Sequence, residues 1–162
     1  MNKKKLIAKS WGNNNPYKSV IEELKVLKML NHPNVIWLNE IIDDPKKDKL
    51  YVVTEWLNKG SLGELLEKKN EGKANRVGLP LSQVKEYLRD MLKALHYCHD
   101  VAKVFHRDIK PDNIMINHNN EAVLIDFGVS ALKGDDDFIH TKMGTLLYFA
   151  PEMFQSGKNF RV

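Results

Sequence analysis

The feature that most constrains this 162-residue chain is a polar segment, His106 to Asn113, that lies between short apolar runs. Within six residues it carries a carboxylate, an ammonium group and an amide, on Asp108, Lys110 and Asn113. A second carboxylate, Asp126, follows thirteen residues after Asn113 and directly succeeds an apolar run. We expect the first segment to form one rigid loop, and the apolar run to be a strand that holds Asp126 at its end.

The side chains of this segment are of the kinds that phosphoryl transfer from ATP requires. A carboxylate must orient the attacking hydroxyl, a cation must offset charge on the moving phosphoryl group, and oxygen ligands must hold Mg²⁺ on the phosphates. Magnesium prefers hard oxygen ligands and keeps several waters, so one carboxylate and one amide oxygen suit it better than a full protein cage. The residue types and their spacing therefore favour ATP and Mg²⁺ as ligands.

The order and spacing of these motifs resemble the signature set of eukaryotic-type serine/threonine protein kinases. The set is carried here by His106-Arg107-Asp108 with Asn113, by Asp126-Phe127-Gly128 and by Ala150-Pro151-Glu152. The resemblance covers essentially the whole chain. Lys110, within Asp-Ile-Lys-Pro-Asp-Asn, is similar to serine/threonine kinases rather than tyrosine kinases. The resemblance implies an ATP-dependent enzyme of intracellular signalling, with ATP and Mg²⁺ as cofactors and serine or threonine of a protein substrate as acceptor.

The same resemblance implies a role for each polar group. Asp108 would be the catalytic base, or orienter, for the substrate hydroxyl, and Lys110 would contact the γ-phosphate. Asn113 and Asp126 would ligate Mg²⁺. Thr145 matches the threonine that hydrogen-bonds the catalytic aspartate and lysine in the family.

Further positions match the family's nucleotide cleft and its internal packing. Glu23 matches the glutamate of the mobile small-lobe helix, although by itself it reads as a solvated helix carboxylate. Thr54 stands at the gatekeeper position, and Met115 would pack beneath adenine. The hinge backbone would be Glu55, Trp56 and Leu57. Four side chains match those that stack across the lobes of active kinases, and on periodicity alone each is plain core: Leu27, Leu38, His106 and Phe127.

A regulatory phosphate is implied at Thr141, three residues before Gly144. Such a phosphate would pair with Arg107 through charge-assisted hydrogen bonds and order the loop. The neighbouring Asp135, Asp136 and Asp137 would supply part of that negative charge permanently, or form only a solvated acidic tip.

The resemblance implies an incomplete two-lobed α+β fold. Residues 1–54 would be the remainder of the small lobe, 55–60 the hinge, and 61–162 the start of the large lobe. A glycine-rich phosphate loop and a strand lysine do not occur in the sequence, and we expect them before Met1. We also expect the 162-residue chain by itself to have little or no kinase activity.

Residue patterns predict the main elements independently of the family. A helix is expected with Val20, Leu24, Leu27, Met29 and Leu30 on one stripe, ending at Asn31 to Asn34. Two strands, 35–42 and 50–55, should pair in antiparallel fashion. Ser61 should cap a helix that runs to about Lys69. Ser82 should cap a longer helix whose apolar stripe is Val84, Tyr87, Leu88, Met91, Leu92 and Leu95.

Composition excludes some partners. A net charge of +4 raises nucleic acid as a partner, but the lysines are interleaved with acids and lack aromatic stacking residues. No apolar run approaches the roughly 20 residues of a membrane span. The single cysteine, Cys98, favours a reducing compartment, so we expect a cytoplasmic protein without nucleic-acid or membrane partners. His96, Cys98 and His99 lack a fourth ligand at zinc spacing, which favours helix packing over a metal.

Within the kinases, the chain looks most like the calcium/calmodulin-dependent protein kinase kinases. This likeness is carried by residues 31–35, by Asp43-Asp44-Pro45 and by residues 126–130. Calmodulin would bind only through a region outside this chain. Two alternatives to an active kinase stay open, a truncated kinase-like binding or scaffold module and a small-molecule kinase of the same fold. Intact Asp108, Asn113 and Asp126 disfavour the module. Protein substrates are favoured by Lys110-Pro111, Thr145 and Ala150-Pro151-Glu152 together.

Overall fold

The structure, a computed structural model, describes residues 16–44, 46–47, 49–132, 138–139, 144–154 and 160–161. Its helices are α1 (Pro16–Met29), α2 (Leu62–Asn70) and α3 (Leu81–His96), the last continuing into a π-helical turn (Tyr97–Val101). Short 3-10 turns lie at Pro111–Asn113, Leu146–Tyr148 and Pro151–Phe154. The strands are β1 (Leu38–Asp43), β2 (Leu50–Thr54), β3 (Val104–Phe105), β4 (Ile114–Ile116), β5 (Ala122–Leu124), β6 (Ala131–Leu132), β7 (Phe138–Ile139) and β8 (Phe160–Arg161). This mixture of helices and two-stranded antiparallel sheets confirms the predicted α+β class.

Helix α1 packs against the core through Leu24 and Leu27, and Leu30 is buried just after the helix ends. The predicted stripe was wrong at Met29, which is 59% exposed. Met29 lies two residues after Leu27, which is about 200° around the helix, and it therefore points away from the core. The face that is buried directs Glu23 toward the centre of the molecule.

Strands β1 and β2 form the predicted antiparallel pair, with a bulge between Leu38 and Glu40. The first strand begins later than the sequence indicated. Val35 instead forms an isolated parallel bridge with Leu124, and the Ile36 amide donates to the Leu124 carbonyl at 2.9 Å. The segment after α1 is therefore attached to β5, in the part of the chain that carries the polar motifs.

The two helices that follow differ in how they begin. Ser61 caps α2 as predicted, because its hydroxyl accepts from the Glu64 amide while the Glu64 carboxylate accepts from the Ser61 amide. The predicted cap of α3 at Ser82 was wrong. This helix begins at Leu81, and Pro80 occupies the N-cap position without a side-chain hydrogen bond.

The predicted apolar stripe of α3 is only partly buried. Tyr87 and Met91 pack into the core together with Ala94, which the prediction omitted. Three leucine or valine positions of the stripe are exposed instead: Val84, Leu88 and Leu92. The buried line follows spacings of three and four residues, which keep side chains on one helical face.

Strands β4 and β5 form a hairpin whose residues are largely buried. Helix α3 holds the hairpin through Asp90, whose carboxylate accepts from the Ala122 amide at 3.0 Å. On the other side, Ser61 bridges to Met115, so the chain leaving β2 runs beside β4. The hairpin thus places Asn113 at one end and Asp126, two residues beyond β5, at the same end. None of the described helices is long and apolar enough to cross a membrane.

Candidate active site

Three polar side chains converge around the carboxylate of Asp108. The hydroxyl of Thr145 donates to Asp108 Oδ1 at 2.7 Å. Asp108 Oδ2 accepts from Lys110 Nζ at 2.8 Å and from Asn113 Nδ2 at 3.0 Å. Lys110 Nζ also donates to Thr145 Oγ1 at 2.8 Å, which closes a ring of hydrogen bonds. The carboxylate is therefore held in one orientation by three donors.

These contacts control the charge state of the two ionisable groups. Burial by itself raises the pKa of Asp108, but the hydrogen bonds from Lys110, Thr145 and Asn113 outweigh it and leave the pKa below its ordinary value. The hydrogen bond to Asp108 likewise raises the pKa of Lys110, with further help from the charges of Asp112 and Asp126. The pair is thus a carboxylate and an ammonium ion at neutral pH.

His106 supports the loop that carries Asp108. It is 1% exposed, and its Nδ1 accepts from the Asp108 amide at 3.2 Å. Its Nε2 therefore carries the proton and donates to the Ile125 carbonyl at 2.8 Å. The ring meets Phe127 edge-on, with centroids 4.7 Å apart. Burial lowers the pKa of His106, so that the neutral imidazole links the loop to the chain just before Asp126.

Two non-glycine residues of the site have left-handed backbone angles. Arg107 has a φ of 67° and Asp126 a φ of 64°. Such conformations cost on the order of 1–3 kcal/mol each and persist only where surrounding contacts enforce them. For Arg107 the contacts are hydrogen bonds from its guanidinium to the carbonyls of Val129 and Ser130. Arg107 therefore ties the loop to the segment that follows Asp126; Thr141, its predicted phosphorylated partner, lies outside the described residues.

The predicted metal ligands lie at adjoining strand ends. The Ile125 amide donates to the Asn113 carbonyl at 2.9 Å, which fixes the two segments side by side. The side-chain nitrogen of Asn113 makes two hydrogen bonds, and both go to Asp108: one to its Oδ2 and one to its backbone carbonyl oxygen. Among the described residues no hydrogen bond uses the Asn113 side-chain oxygen. Asp126 is exposed, and one of its carboxylate oxygens accepts from the Gly128 amide at 3.2 Å.

Glu23 approaches this region from α1. A β-carbon built on Gly128 would lie 3.1 Å from an Asp126 carboxylate oxygen and 3.5 Å from one of Glu23, so both carboxylates flank this glycine. Burial raises the pKa of Glu23, and the negative charge of Asp126 raises it further. A cation placed between these two carboxylates would stabilise the charged form of each.

A cleft of about 390 Å³ opens beside these groups. It reaches from Glu23 and Asp126 past Thr54 to the segment between β2 and α2. Its wall includes the predicted positions Glu55, Trp56, Leu57 and Met115, together with Leu24, Leu27, Ile36, Val52 and Ile125. Within the described part of the chain, no hydrogen bond uses the Leu57 amide. An apolar cleft with a few polar backbone groups suits a planar heterocycle.

The structure brings the sequence-predicted residues into two connected groups. Asp108, Lys110, Asn113 and Thr145 share one hydrogen-bond network, while Glu23 and the predicted hinge residues line the cleft. The predicted internal stack is present in part as the His106–Phe127 contact, and Leu27 and Leu38 are buried. Thr141 and the acidic residues 135–137 lie outside the described residues.

Sequence reasoning missed Ile36 and Val52 as cleft residues. Their positions in the two predicted strands were a signal, but a strand pattern does not show which face meets the cleft, and Ile36 is held instead by its hydrogen bond to Leu124. It also missed Asn34, a 4% exposed residue whose amide donates to the Ala122 carbonyl at 2.9 Å. No local pattern indicates a contact between residues 88 positions apart.

The predicted packing role of the histidine and cysteine group holds for Cys98 and His99 and is wrong for His96, whose side chain is exposed. Cys98 is buried, His99 packs against Phe105, and His96 contacts the Asp100 carboxylate at 2.7 Å. In the described ranges, no three histidine, cysteine or acidic side chains cluster in a way that could hold a metal ion.

Comparisons with known proteins agree with the motifs. Residues 2–161 match the model of the protein kinase domain. The chain is 34% identical over 142 residues to a Dictyostelium discoideum protein named a probable serine/threonine-protein kinase, covering 88% of this chain and 19% of that protein. It is 38% identical over 148 residues to the calcium/calmodulin-dependent protein kinase kinase of Caenorhabditis elegans, covering 90% of this chain and 25% of the relative.

A CBL-interacting serine/threonine-protein kinase of Arabidopsis thaliana is 35% identical over 144 residues, with 83% of this chain and 29% of the relative covered. The chain thus spans between 19% and 29% of the length of these three relatives. The family model covers almost the whole chain, and Asp108, Lys110, Asn113 and Thr145 share one hydrogen-bond network near a cleft that Asp126 lines. The chain therefore belongs to the protein kinase family.

Proposed function

We propose that the protein containing this chain transfers the γ-phosphoryl group of ATP to a serine or threonine hydroxyl of a protein substrate. The observation that carries the proposal is the Asp108 carboxylate, held by Thr145, Lys110 and Asn113 and open to a reacting hydroxyl. Asp108 is 12% exposed at its side chain and ionised, so it can orient that hydroxyl and accept its proton. The bond from the γ-phosphorus to ADP breaks as the bond to the substrate oxygen forms.

Lys110 has a second task in this proposal. Its ammonium group lies 2.8 Å from Asp108 and is positioned to offset negative charge on the phosphoryl group as it moves. Thr145 holds the ammonium group and the carboxylate together, which limits the motion of both. The network therefore supplies orientation and charge compensation, which are the main needs of phosphoryl transfer.

The residues present fit Mg²⁺. The side-chain oxygen of Asn113, which no hydrogen bond between described residues uses, and the carboxylate of Asp126 are hard oxygen ligands at neighbouring strand ends. Asn113 is buried, whereas Asp126 is exposed, so water can complete the coordination from the side of Asp126. When bound there, Mg²⁺ neutralises phosphate charge. The cleft would take adenine against Met115, with Leu57 as the hinge donor.

Replacing one acidic residue, Asp108, tests the proposal. The full-length protein, purified and given radiolabelled ATP, Mg²⁺ and a mixed serine/threonine peptide library, should label the peptides. Asp108→Asn should lower this rate at least a hundredfold, whereas Asp100→Asn, the same change at an exposed position of the π-helical turn after α3, should leave it within twofold. No labelling by the parent protein, or equal rates for the two variants, contradicts the proposal. ATP binding without transfer would favour a binding module.

Calmodulin binding, location and other partners are separate assignments. The Caenorhabditis elegans relative is named for calcium/calmodulin dependence, and we extend this to our protein only through a region outside the chain. A calmodulin pull-down with and without calcium, using the full-length protein, tests it; absence of calcium-dependent capture contradicts it. A cytoplasmic location and the absence of nucleic-acid and membrane partners stay predictions from composition.

A further inference from the structure

Gly144 lies directly against the catalytic loop. Its φ of 115° belongs to a region that favours glycine. A β-carbon at this position would collide with the Arg107 carbonyl oxygen and lie 3.3 Å from Phe149 Cε1. The carbonyl oxygen is far inside van der Waals contact, and it is a backbone atom. A side chain at residue 144 therefore cannot be accommodated by a rotamer change, and one of the two backbone segments must shift.

The two segments in contact are those that carry the hydrogen-bonded groups. Thr145 follows Gly144, and Asp108 follows Arg107. One residue beyond the close approach, Thr145 Oγ1 donates to Asp108 Oδ1 at 2.7 Å and accepts from Lys110 at 2.8 Å. Hydrogen bonds of this length weaken steeply once the separation grows by several tenths of an ångström. Displacement of residue 144 therefore alters both bonds of the Thr145 hydroxyl.

We infer that Gly144 is a positioning residue, whose close approach to the Arg107 carbonyl sets the distance between the Thr145 hydroxyl and the Asp108 carboxylate. The inference rests on the proposed function, since it assigns the effect to phosphoryl transfer. It leaves the nucleotide cleft untouched, because none of Arg107, Gly144 and Thr145 lines that cleft. The expected signature is a loss of kcat without a loss of ATP affinity.

The main test compares two glycine-to-alanine variants in the full-length protein. Gly72 has a φ of 69°, but nothing lies within 4 Å of a β-carbon built there. Gly72→Ala therefore adds a β-carbon at a positive φ without a collision, at an angle close to the left-handed region that other residues can enter. Gly144→Ala should lower kcat at least tenfold with KM for ATP within twofold of the parent, and Gly72→Ala should leave both within twofold. Rates are expressed per nucleotide-binding site, titrated with a fluorescent ATP analogue, so that unfolded protein is not counted.

A double-mutant comparison tests the route through Thr145. Thr145→Val should lower kcat by itself, and adding Gly144→Ala to it should lower kcat less than threefold further, since the hydroxyl is already gone. Independent, multiplying losses contradict the inference, as does a KM for ATP that rises in step with the fall in kcat. If Gly144→Ala yields no nucleotide-binding protein, Thr145→Val still decides, because an unchanged kcat overturns the inference. A parent protein without phosphoryl transfer would instead refute the proposed function.

Discussion

Replacing His106 with phenylalanine should destabilise the protein through hydrogen bonds rather than through packing. His106→Phe keeps an aromatic ring against Phe127, with which the imidazole now makes an edge contact at 4.7 Å. It removes the acceptor for the Asp108 amide and the donor for the Ile125 carbonyl. Leaving a buried polar group without a partner costs about 1–3 kcal/mol, so the two losses together amount to about 2–6 kcal/mol.

The measurement is urea unfolding of the full-length protein, followed by tryptophan fluorescence. With a denaturant slope of about 2 kcal/mol per M, the expected loss moves the midpoint down by at least about 1 M. His118→Phe is the matched control, because His118 is exposed and the Lys59 ammonium group contacts only its carbonyl. Surface changes of this kind stay within about 0.5 kcal/mol. Equal midpoints for the two variants would refute the reasoning that these hydrogen bonds hold the loop.

Three further predictions concern caps, pH and thiol reactivity. Ser61→Ala removes the α2 capping box and should lower the free energy of unfolding by about 1 kcal/mol, measured by thermal or urea unfolding. Ser82→Ala removes no cap bond and should lower it by less than about 0.5 kcal/mol. Equal losses of stability for the two variants contradict this prediction. Burial lowers the pKa of His32, His99 and His106 in the folded state, so the unfolded state binds more protons. The free energy of unfolding should therefore fall as pH drops below the ordinary histidine pKa of 6.5. A urea midpoint that stays flat from pH 7 to 5 contradicts this prediction. The thiol of the single cysteine is buried and its pKa is raised to about 11, so it should react with a thiol reagent at pH 8 only after denaturant is added; rapid labelling of native protein contradicts this.

Local patterns were sufficient for the elements and for the identity of the polar groups. The strand expected at residues 50–55, the serine cap of α2 and the strand expected before Asp126 are all present, because each depends on neighbours a few residues away. The motifs around Asp108 and Asp126 identified the family from residue type and spacing. Short-range sequence information therefore determined which groups the site contains.

Helix faces were harder to predict. The leucines and valine along α3 share one apparent stripe, yet Leu88 is 56% exposed while Met91 is buried. Which side of a helix is covered depends on the hairpin β4–β5, whose Ala122 amide is bound by Asp90 of that helix. Met29 is a different case, because its position about 200° around the helix from Leu27 already separates the two side chains in the sequence pattern.

The arrangement of the site itself was decided only by tertiary structure. Asp108 and Thr145 are 37 residues apart in sequence, and no periodicity predicts that Thr145 Oγ1 lies 2.7 Å from the carboxylate. The strained backbone at Arg107 and Asp126, and the close approach of Gly144 to a carbonyl, also arise from contacts between distant segments. The sequence determined the chemistry available to this protein, while long-range packing decided the distances at which that chemistry can act, because those distances are set by backbone segments that meet only in the folded state.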